Sequence, residues 1–239
     1  MPSLVHPLWA ESFPWLVQGT TTKGAGSDPR DFGLFSGGAP GGDVRRNWDR
    51  LIAVTGMGGA VHARQVHRAE VRFHGSRGRG LRLAGACDGH ATDAVGLLLA
   101  VSTADCVPVF LVAPVARMVA VVHAGWRGAA AGILERGIAL VTERADCGVA
   151  GVHVHLGPAI CGECYEVGPE IFRALGQPAP PAPRPIDLRA VLGTRAVDAG
   201  VDPSKLTTSL HCTRCTGSGL YSHRGGDRGR QVGYVGIRP

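Results

Sequence analysis

Three short segments place metal-competent or nucleophilic side chains where strongly apolar runs stop. The first is Gln65-Val66-His67. The second is Thr103-Ala104-Asp105-Cys106, which follows the run Leu97 to Val101. The third is His123-Ala124-Gly125-Trp126-Arg127-Gly128, which follows Val119 to Val122. A strand that runs out of a core holds its last side chains rigidly. His67, Cys106 and His123 form a three-ligand set suited to zinc with an open fourth position, where water can be activated. Their separations of 39 and 17 positions match no local zinc pattern. Spacing alone therefore favours hydrogen-bonded histidines at strand ends and a small buried thiol. Cys106 and His123 also read as nucleophile and base of a cysteine hydrolase or deamidase.

Other chemistry-bearing residues are less specific. Arg127 follows a ligand-bearing run and opens a helix, where free backbone N–H groups favour an anion; an ion pair with a carboxylate accounts for it equally well. Cys161/Cys164 and Cys212/Cys215 are two Cys-x-x-Cys pairs, in isolation a four-cysteine zinc pattern. The 47 residues between Cys164 and Cys212 exceed the usual ribbon spacing. The pairs are expected to be oxidisable thiols near the site rather than a second, structural zinc. His153 and His155 share one face of a strand, expected to be solvent-exposed.

The elements that must position these groups follow from periodicity. Continuous apolar runs at Val95–Ser102, Val107–Val112 and Met118–Val122 read as strands buried on both faces. His62–Phe73, Val152–Leu156, Leu206–Leu210 and Gln231–Ile237 read as further strands. Helical spacing marks Asp43–Thr55, Gly128–Arg144 and Ile186–Ala199, and Pro169 opens another helix over 167–175. Phe32–Gly42 reads as a loop, and Gln177–Pro185 as a stiff surface connection. The expected fold is a single compact α/β domain over residues 1–239, with mixed β-sheets packed by helices.

Composition sets the outer bounds. Hydrophobic residues at 44% and charged residues at 18% exclude a disordered or fibrous chain. The net charge of +6 rests on arginine, because Lys23 and Lys205 are the only lysines. The arginines are scattered, whereas a nucleic-acid surface gathers them in a stripe, so no nucleic-acid partner is expected. No apolar run approaches the roughly 20 residues of a membrane helix, and residues 1–12 lack the pattern of a secretory signal. A cytoplasmic protein without a membrane partner is expected. Its seven cysteines are then ligands, reactive thiols or buried apolar groups rather than a disulfide framework.

Longer words complete the picture: Thr103 to Pro108, His123 to Gly128, Gly157-Pro158-Ala159-Ile160, Cys164 to Gly168, Cys212-Thr213 and Tyr221-Ser222-His223-Arg224, together with Gln65-Val66-His67. In this order they resemble the laccase-domain family (YfiH type) from about Phe32 to Ile237. The resemblance implies a YfiH-like layered α/β/β/α fold. It also implies a zinc enzyme that phosphorolyses adenosine, inosine, guanosine and methylthioadenosine to free base and (methylthio)ribose 1-phosphate, and deaminates adenosine. The implied zinc ligands are His67, Cys106 and His123, with Cys106, His123 and Asp88 as catalytic candidates. Asp88 is preferred over Asp105 as the proton carrier, since strand alternation turns Asp105 inward. Arg64, Gln65, Arg127 and Arg224 are the candidates for binding purine nucleoside and phosphate. Copper is the alternative metal and polyphenol oxidation the alternative activity, although ten scattered histidines fall short of the paired motifs of multicopper chemistry. The sequence departs from the family at Arg68, where glycine is usual, and after Arg224, where Gly225-Gly226-Asp227 precede Arg230. Monomer and homodimer both remain open.

Overall fold

Side-chain alternation inside the apolar runs decides the layering. In the strand Leu97–Thr103, Leu97, Leu99 and Val101 enter a core shared with Phe110, Val112, Val119 and Val121. Leu98 and Ala100 point the other way, into a second core with Val44, Trp48, Leu51 and Ile52 of a helix. The computed structural model describes residues 1, 3–24, 30–37 and 41–239; part of the expected loop at 32–42 thus lies outside the described residues.

In chain order the strands are β1 (Ser3–Leu4), β2 (Leu16–Thr21), β3 (Gly59–Arg64), β4 (Val71–Phe73), β5 (Gly80–Ala86), β6 (Gly89–Thr92) and β7 (Leu97–Thr103). They continue as β8 (Val107–Ala113), β9 (Met118–Ala124), β10 (His153–Leu156), β11 (Glu166–Val167), β12 (Arg184–Pro185), β13 (Leu206–Thr208) and β14 (Gln231–Ile237). The α-helices are α1 (Pro7–Ser12), α2 (Gly41–Thr55), α3 (Trp126–Ala130), α4 (Ile133–Ala145), α5 (Pro169–Ala174) and α6 (Leu188–Asp198). One six-stranded sheet has the order β1-β2-β14-β7-β3-β5, and the other β13-β10-β8-β9-β6-β4. Both are mixed: β7 pairs antiparallel with β14 and parallel with β3, while β8–β9 is antiparallel and β10–β13 parallel.

The sheets face each other across Val61, Leu99, Val101, Phe110, Val119, Val121 and Val235. Helix α2 covers the outer face of the first sheet, with Trp48 fully buried and its indole N–H donated to the Phe32 carbonyl at 3.1 Å. Helices α4 and α6 cover the second, where Ile133, Leu134, Ile138, Val141 and Leu192 meet Val109, Leu111, Ala120 and Val122. This is the layered α/β/β/α arrangement that the sequence words imply.

Several elements differ from expectation for local reasons. The strand expected over 62–73 is two strands in different sheets, because the chain leaves β3 after Arg64. The helix expected over 128–144 is α3 and α4, broken at Gly132, whose φ of +82° no helix accommodates. β13 ends at Thr208, and β5 and β6 carry no apolar run to announce them. The histidine face of β10 is covered: His155 is buried against His6, Trp9 and Phe110, and His153 meets Phe13 edge-on.

One consequence of the two-sheet path positions the site. The chain crosses from the first sheet to the second between β3 and β4, between β5 and β6, and between β7 and β8. His67, Asp88 and Cys106 sit on those three crossings.

Candidate functional site

Asp88 organises the seam. Its side chain is completely buried in the crossing from β5 to β6. Oδ2 accepts the backbone N–H groups of Val66 (3.1 Å) and Arg68 (2.9 Å), and Oδ1 accepts that of His67 (2.9 Å). Three successive N–H groups closing on one carboxylate wrap the chain into an anion-binding nest. That wrapping holds His67 at φ +57°, a left-handed conformation that a residue with a Cβ rarely adopts. The fourth bond goes to His123 at the end of β9, whose Nδ1–H donates to Oδ1 at 3.0 Å. Because a carboxylate can only accept, His123 carries its proton on Nδ1 and turns Nε2 toward Cys106. Burial opposes ionisation of Asp88, but His123 and the backbone donors outweigh it and hold the carboxyl below its ordinary range.

His67, Cys106 and His123 meet here. Their ligand atoms all lie within 4.8 Å of one another, and the two imidazoles stand edge to face with centroids 4.8 Å apart. Burial opposes charge on Cys106, yet the adjoining His123 and hydrogen bonds from both histidines lower its pKa; the thiol in turn raises that of His123. The metal-free pair therefore favours thiolate beside imidazolium; cysteine binds a metal as that thiolate, and an ion would displace the proton on His123 Nε2. The space fits an ion as well. A Cβ at Gly125 would stand 2.9 Å from the Cys106 sulfur and 3.1 Å from Cδ2 of His67, so glycine keeps the cradle clear. Two imidazoles, one thiolate and a carboxylate behind one imidazole are a donor set that could hold a metal ion through three protein ligands.

The set opens onto a cavity of about 310 Å³. His62, Gln65, Ser102 and Ala104 line it together with Phe35, Ser36, His223 and Arg230, of which Phe35 and His223 are exposed. Gln65 is fixed at both ends of its amide: Nε2–H donates to the Ser102 carbonyl (2.8 Å), and Oε1 accepts the Ser102 N–H (2.7 Å). It clasps the end of β7, which commits one of its two amide N–H donors and leaves the other at the cavity wall. His62 donates from Nδ1 to the Ala100 carbonyl (3.1 Å), and its Nε2 lies 3.3 Å from the Ser102 hydroxyl. Burial lowers its pKa to about 4, so it is a neutral wall. Phe35, half exposed, stacks on it with centroids 6.1 Å apart.

The other candidates divide. Asp88 has no free oxygen and does not line the cavity, so its geometry is that of a positioning residue rather than a proton carrier. Asp105 is turned inward as expected, though by a φ of +89° and not by strand alternation. Its Oδ1 accepts the Thr213 hydroxyl (2.6 Å) and its Oδ2 the Arg224 N–H (2.7 Å). None of Arg64, Arg127 and Arg224 lines the cavity. Arg127 lies over its neighbour Trp126 at 4.2 Å, and Arg224 lies over Tyr165 and donates to the Glu166 carbonyl at 3.0 Å. Arg230 is the arginine that lines the cavity, and with Ser36 and His223 it also lines a neighbouring hollow that contains Arg228. His62, Ser102, Phe35 and His223 carried no local spacing signal; Ser102 and His223 stood only inside or beside recognised words.

The two-sheet α/β architecture and the His-Cys-His centre at its seam define a candidate metalloenzyme. The chain belongs to the family described as multi-copper polyphenol oxidoreductase laccase, whose model matches residues 18–238. It is 33% identical to purine nucleoside phosphorylase YlmD of Geobacillus stearothermophilus, covering 96% of this chain and 93% of the relative. It is 35% identical to adenosine deaminase RL5 of an unknown prokaryotic organism, covering 69% of each. The crystal structure of YlmD from Geobacillus stearothermophilus superposes with a TM-score of 0.86 at 31% identity, covering 95% of this chain and 93% of that one. That of Bacillus licheniformis hypothetical protein YfiH gives 0.85 at 26% identity, covering 99% and 96%. No helix among the described residues is long and apolar enough to cross a membrane.

Proposed function

We propose that this protein is a zinc-dependent purine nucleoside phosphorylase acting on adenosine, inosine, guanosine and methylthioadenosine, with adenosine deamination as a second activity of the same site. The observation that carries the reading is the convergence of His67, Cys106 and His123 on a nucleoside-sized cavity, in a chain similar to enzymes of both names. His67 through its imidazole, Cys106 through its thiolate and His123 through Nε2 would hold the ion. When bound, zinc supplies Lewis acidity at an open fourth position.

In phosphorolysis a phosphate oxygen bonds to ribose C1′ while the bond from C1′ to the purine nitrogen breaks. The base departs with the bonding electrons and takes up the proton that the attacking phosphate gives up. The sugar becomes cationic on the way, so bound phosphate must sit close to it. Arg230 and His223, which line the cavity, are assigned to phosphate: Arg230 Nη1 donates to the Arg228 and Gly229 carbonyls (2.9 and 2.8 Å), and its Nε and Nη2 remain for two parallel hydrogen bonds to the anion. Phe35 offers an exposed aromatic face on which a purine stacks. His62, kept neutral by burial, adds no positive charge beside the ribose. Asp88 fixes the tautomer and direction of His123.

Copper is less well matched. Apart from the His67–Cys106–His123 set, one group of four cysteines is the other cluster of three or more ligand residues among the described residues. A multinuclear copper centre needs further histidines.

A second reading rests on one observation: Asp88, His123 and Cys106 stand in the order of a carboxylate-imidazole-thiol triad. Purified protein incubated with inosine or adenosine and phosphate tests both. Free base with ribose 1-phosphate supports phosphorolysis; base release that ignores phosphate indicates a hydrolase. Neither product, together with inhibition by thiol reagents in metal-free protein, favours the cysteine hydrolase.

A further inference from the structure

The four remaining paired cysteines form a second centre. β10 and β13 are parallel neighbours, with Leu156 opposite Thr208. The segments that follow them therefore leave the sheet side by side. Ala159 and Cys212 form a parallel bridge, with Thr213 N–H donated to the Ala159 carbonyl at 3.1 Å. Each segment then delivers one Cys-x-x-Cys. The sulfurs of Cys161, Cys164, Cys212 and Cys215 all lie within 4.8 Å of one another.

We infer that Cys161, Cys164, Cys212 and Cys215 bind a structural zinc ion, distinct from the three-ligand centre at the cavity. The spacing is that of ligands and not of disulfides. Cys215 lies 4.0 Å from Cys161 and 3.8 Å from Cys164. A disulfide needs about 2.05 Å, whereas tetrahedral zinc with bonds of about 2.3 Å sets its sulfurs roughly 3.8 Å apart. All four cysteines are unpaired in the structure. The surrounding donors suit anionic sulfur: Cys212 Sγ accepts the N–H groups of Cys161 (3.2 Å) and Arg214 (3.4 Å), the outer hydrogen bonds that support metal thiolates. The Arg214 guanidinium donates to the Cys164 carbonyl at 2.9 Å, tying one pair to the other from outside. Four protein sulfurs close the coordination sphere, which makes the site structural rather than catalytic.

Its position gives it a purpose. Thr213, next to Cys212, donates to Asp105 at 2.6 Å, and Asp105 precedes Cys106. Tyr165, next to Cys164, lies under Arg224, whose N–H is also held by Asp105. An ion there clamps the two loops that buttress the Cys106 turn, without touching the cavity. This inference does not rest on the proposed substrates.

The test uses Cys106→Ala, which removes a ligand of the other centre, purified under reducing conditions from cells grown with zinc. Elemental analysis should find one tightly held zinc per chain, and a mercurial thiol titration should release it as these cysteines react. Cobalt substitution should give the intense sulfur-to-metal absorption of four thiolates. The same protein with Cys161→Ser and Cys215→Ser added should lose both the zinc and that absorption. Should the triple variant not fold, the Cys106→Ala measurements decide alone. Zinc-free Cys106→Ala whose paired cysteines alkylate as free thiols, or are found as two disulfides, would overturn the assignment.

Discussion

Replacing Asp88 by asparagine separates positioning from proton transfer. The carboxylate is fully buried and accepts four hydrogen bonds, two on each oxygen. Asparagine keeps one oxygen and turns the other into an NH₂ group. In one orientation the NH₂ confronts the N–H groups of Val66 and Arg68. In the other it confronts the His67 N–H and His123 Nδ1, and it can be accommodated only if His123 moves its proton to Nε2, the atom that faces Cys106. Bonds to a charged acceptor contribute about 1.5–3 kcal/mol each, so losing two costs about 3–6 kcal/mol. In a chain of this size each kcal/mol shifts Tm by about 2–4 °C, giving a fall on the order of 10 °C in metal-free protein. Zinc affinity should fall about 10–100-fold, as when the carboxylate behind a ligating histidine is removed. Thermal unfolding and chelator competition read the two effects. An Asp88→Asn protein with unchanged Tm and zinc affinity but depressed kcat would refute the reasoning and restore Asp88 as a proton carrier.

Other outcomes follow from the same geometry. Gly125→Ala, at an ordinary backbone φ of −78°, pushes a methyl against Cys106 and His67; zinc affinity at that centre should drop at least about 10-fold while the apo Tm stays near wild type, checked by the same two assays. Phe35→Ala should raise the nucleoside KM about 10-fold with kcat nearly unchanged, since a stacking contact contributes about 0.5–1.5 kcal/mol beyond area burial; an unchanged KM places the purine elsewhere. For pH, burial lowers the His155 pKa from its ordinary value of 6.5 to about 3. The unfolded chain then binds the proton first, so stability is full above pH 6.5 and falls as pH drops from there toward 3, by about 1.4 kcal/mol per pH unit for this group. The difference between urea midpoints at pH 7 and pH 5 should shrink in His155→Phe, and an equal difference in both proteins would contradict this.

Legibility in the sequence followed burial. β7, β8, β9 and β14 lie between layers, so their residues are apolar on both faces and their runs stand out. β5, by contrast, is an edge strand carrying Arg82 and the small-residue stretch Ala84-Gly85-Ala86, half open to solvent, with too short a pattern to detect. The false strand over 62–73 has a similar cause. A carboxylate 20–22 residues away turns the chain at 66–68, and nothing local announces it. The three ligand candidates stood out only through the words around them; with 39 and 17 positions between them, spacing alone favoured strand-end histidines and a buried thiol. The arginines were not, since an arginine-rich composition offers many candidates, and only the fold brings Arg230 rather than Arg64, Arg127 or Arg224 to the cavity. The convergence of the two cysteine pairs was hidden by their long separation for a topological reason: parallel pairing of β10 with β13 brings them together.

The proposed metal centre of His67, Cys106 and His123 in a nucleoside phosphorylase has a direct test. The most direct measurement is phosphate-dependent release of hypoxanthine and ribose 1-phosphate from inosine, made on wild type and on folded Cys106→Ala with zinc present. Wild type should yield stoichiometric base and sugar phosphate, with no release in the absence of phosphate, and the variant should lose turnover. Full turnover by Cys106→Ala, or base release from wild type at an equal rate without phosphate, would contradict this proposal.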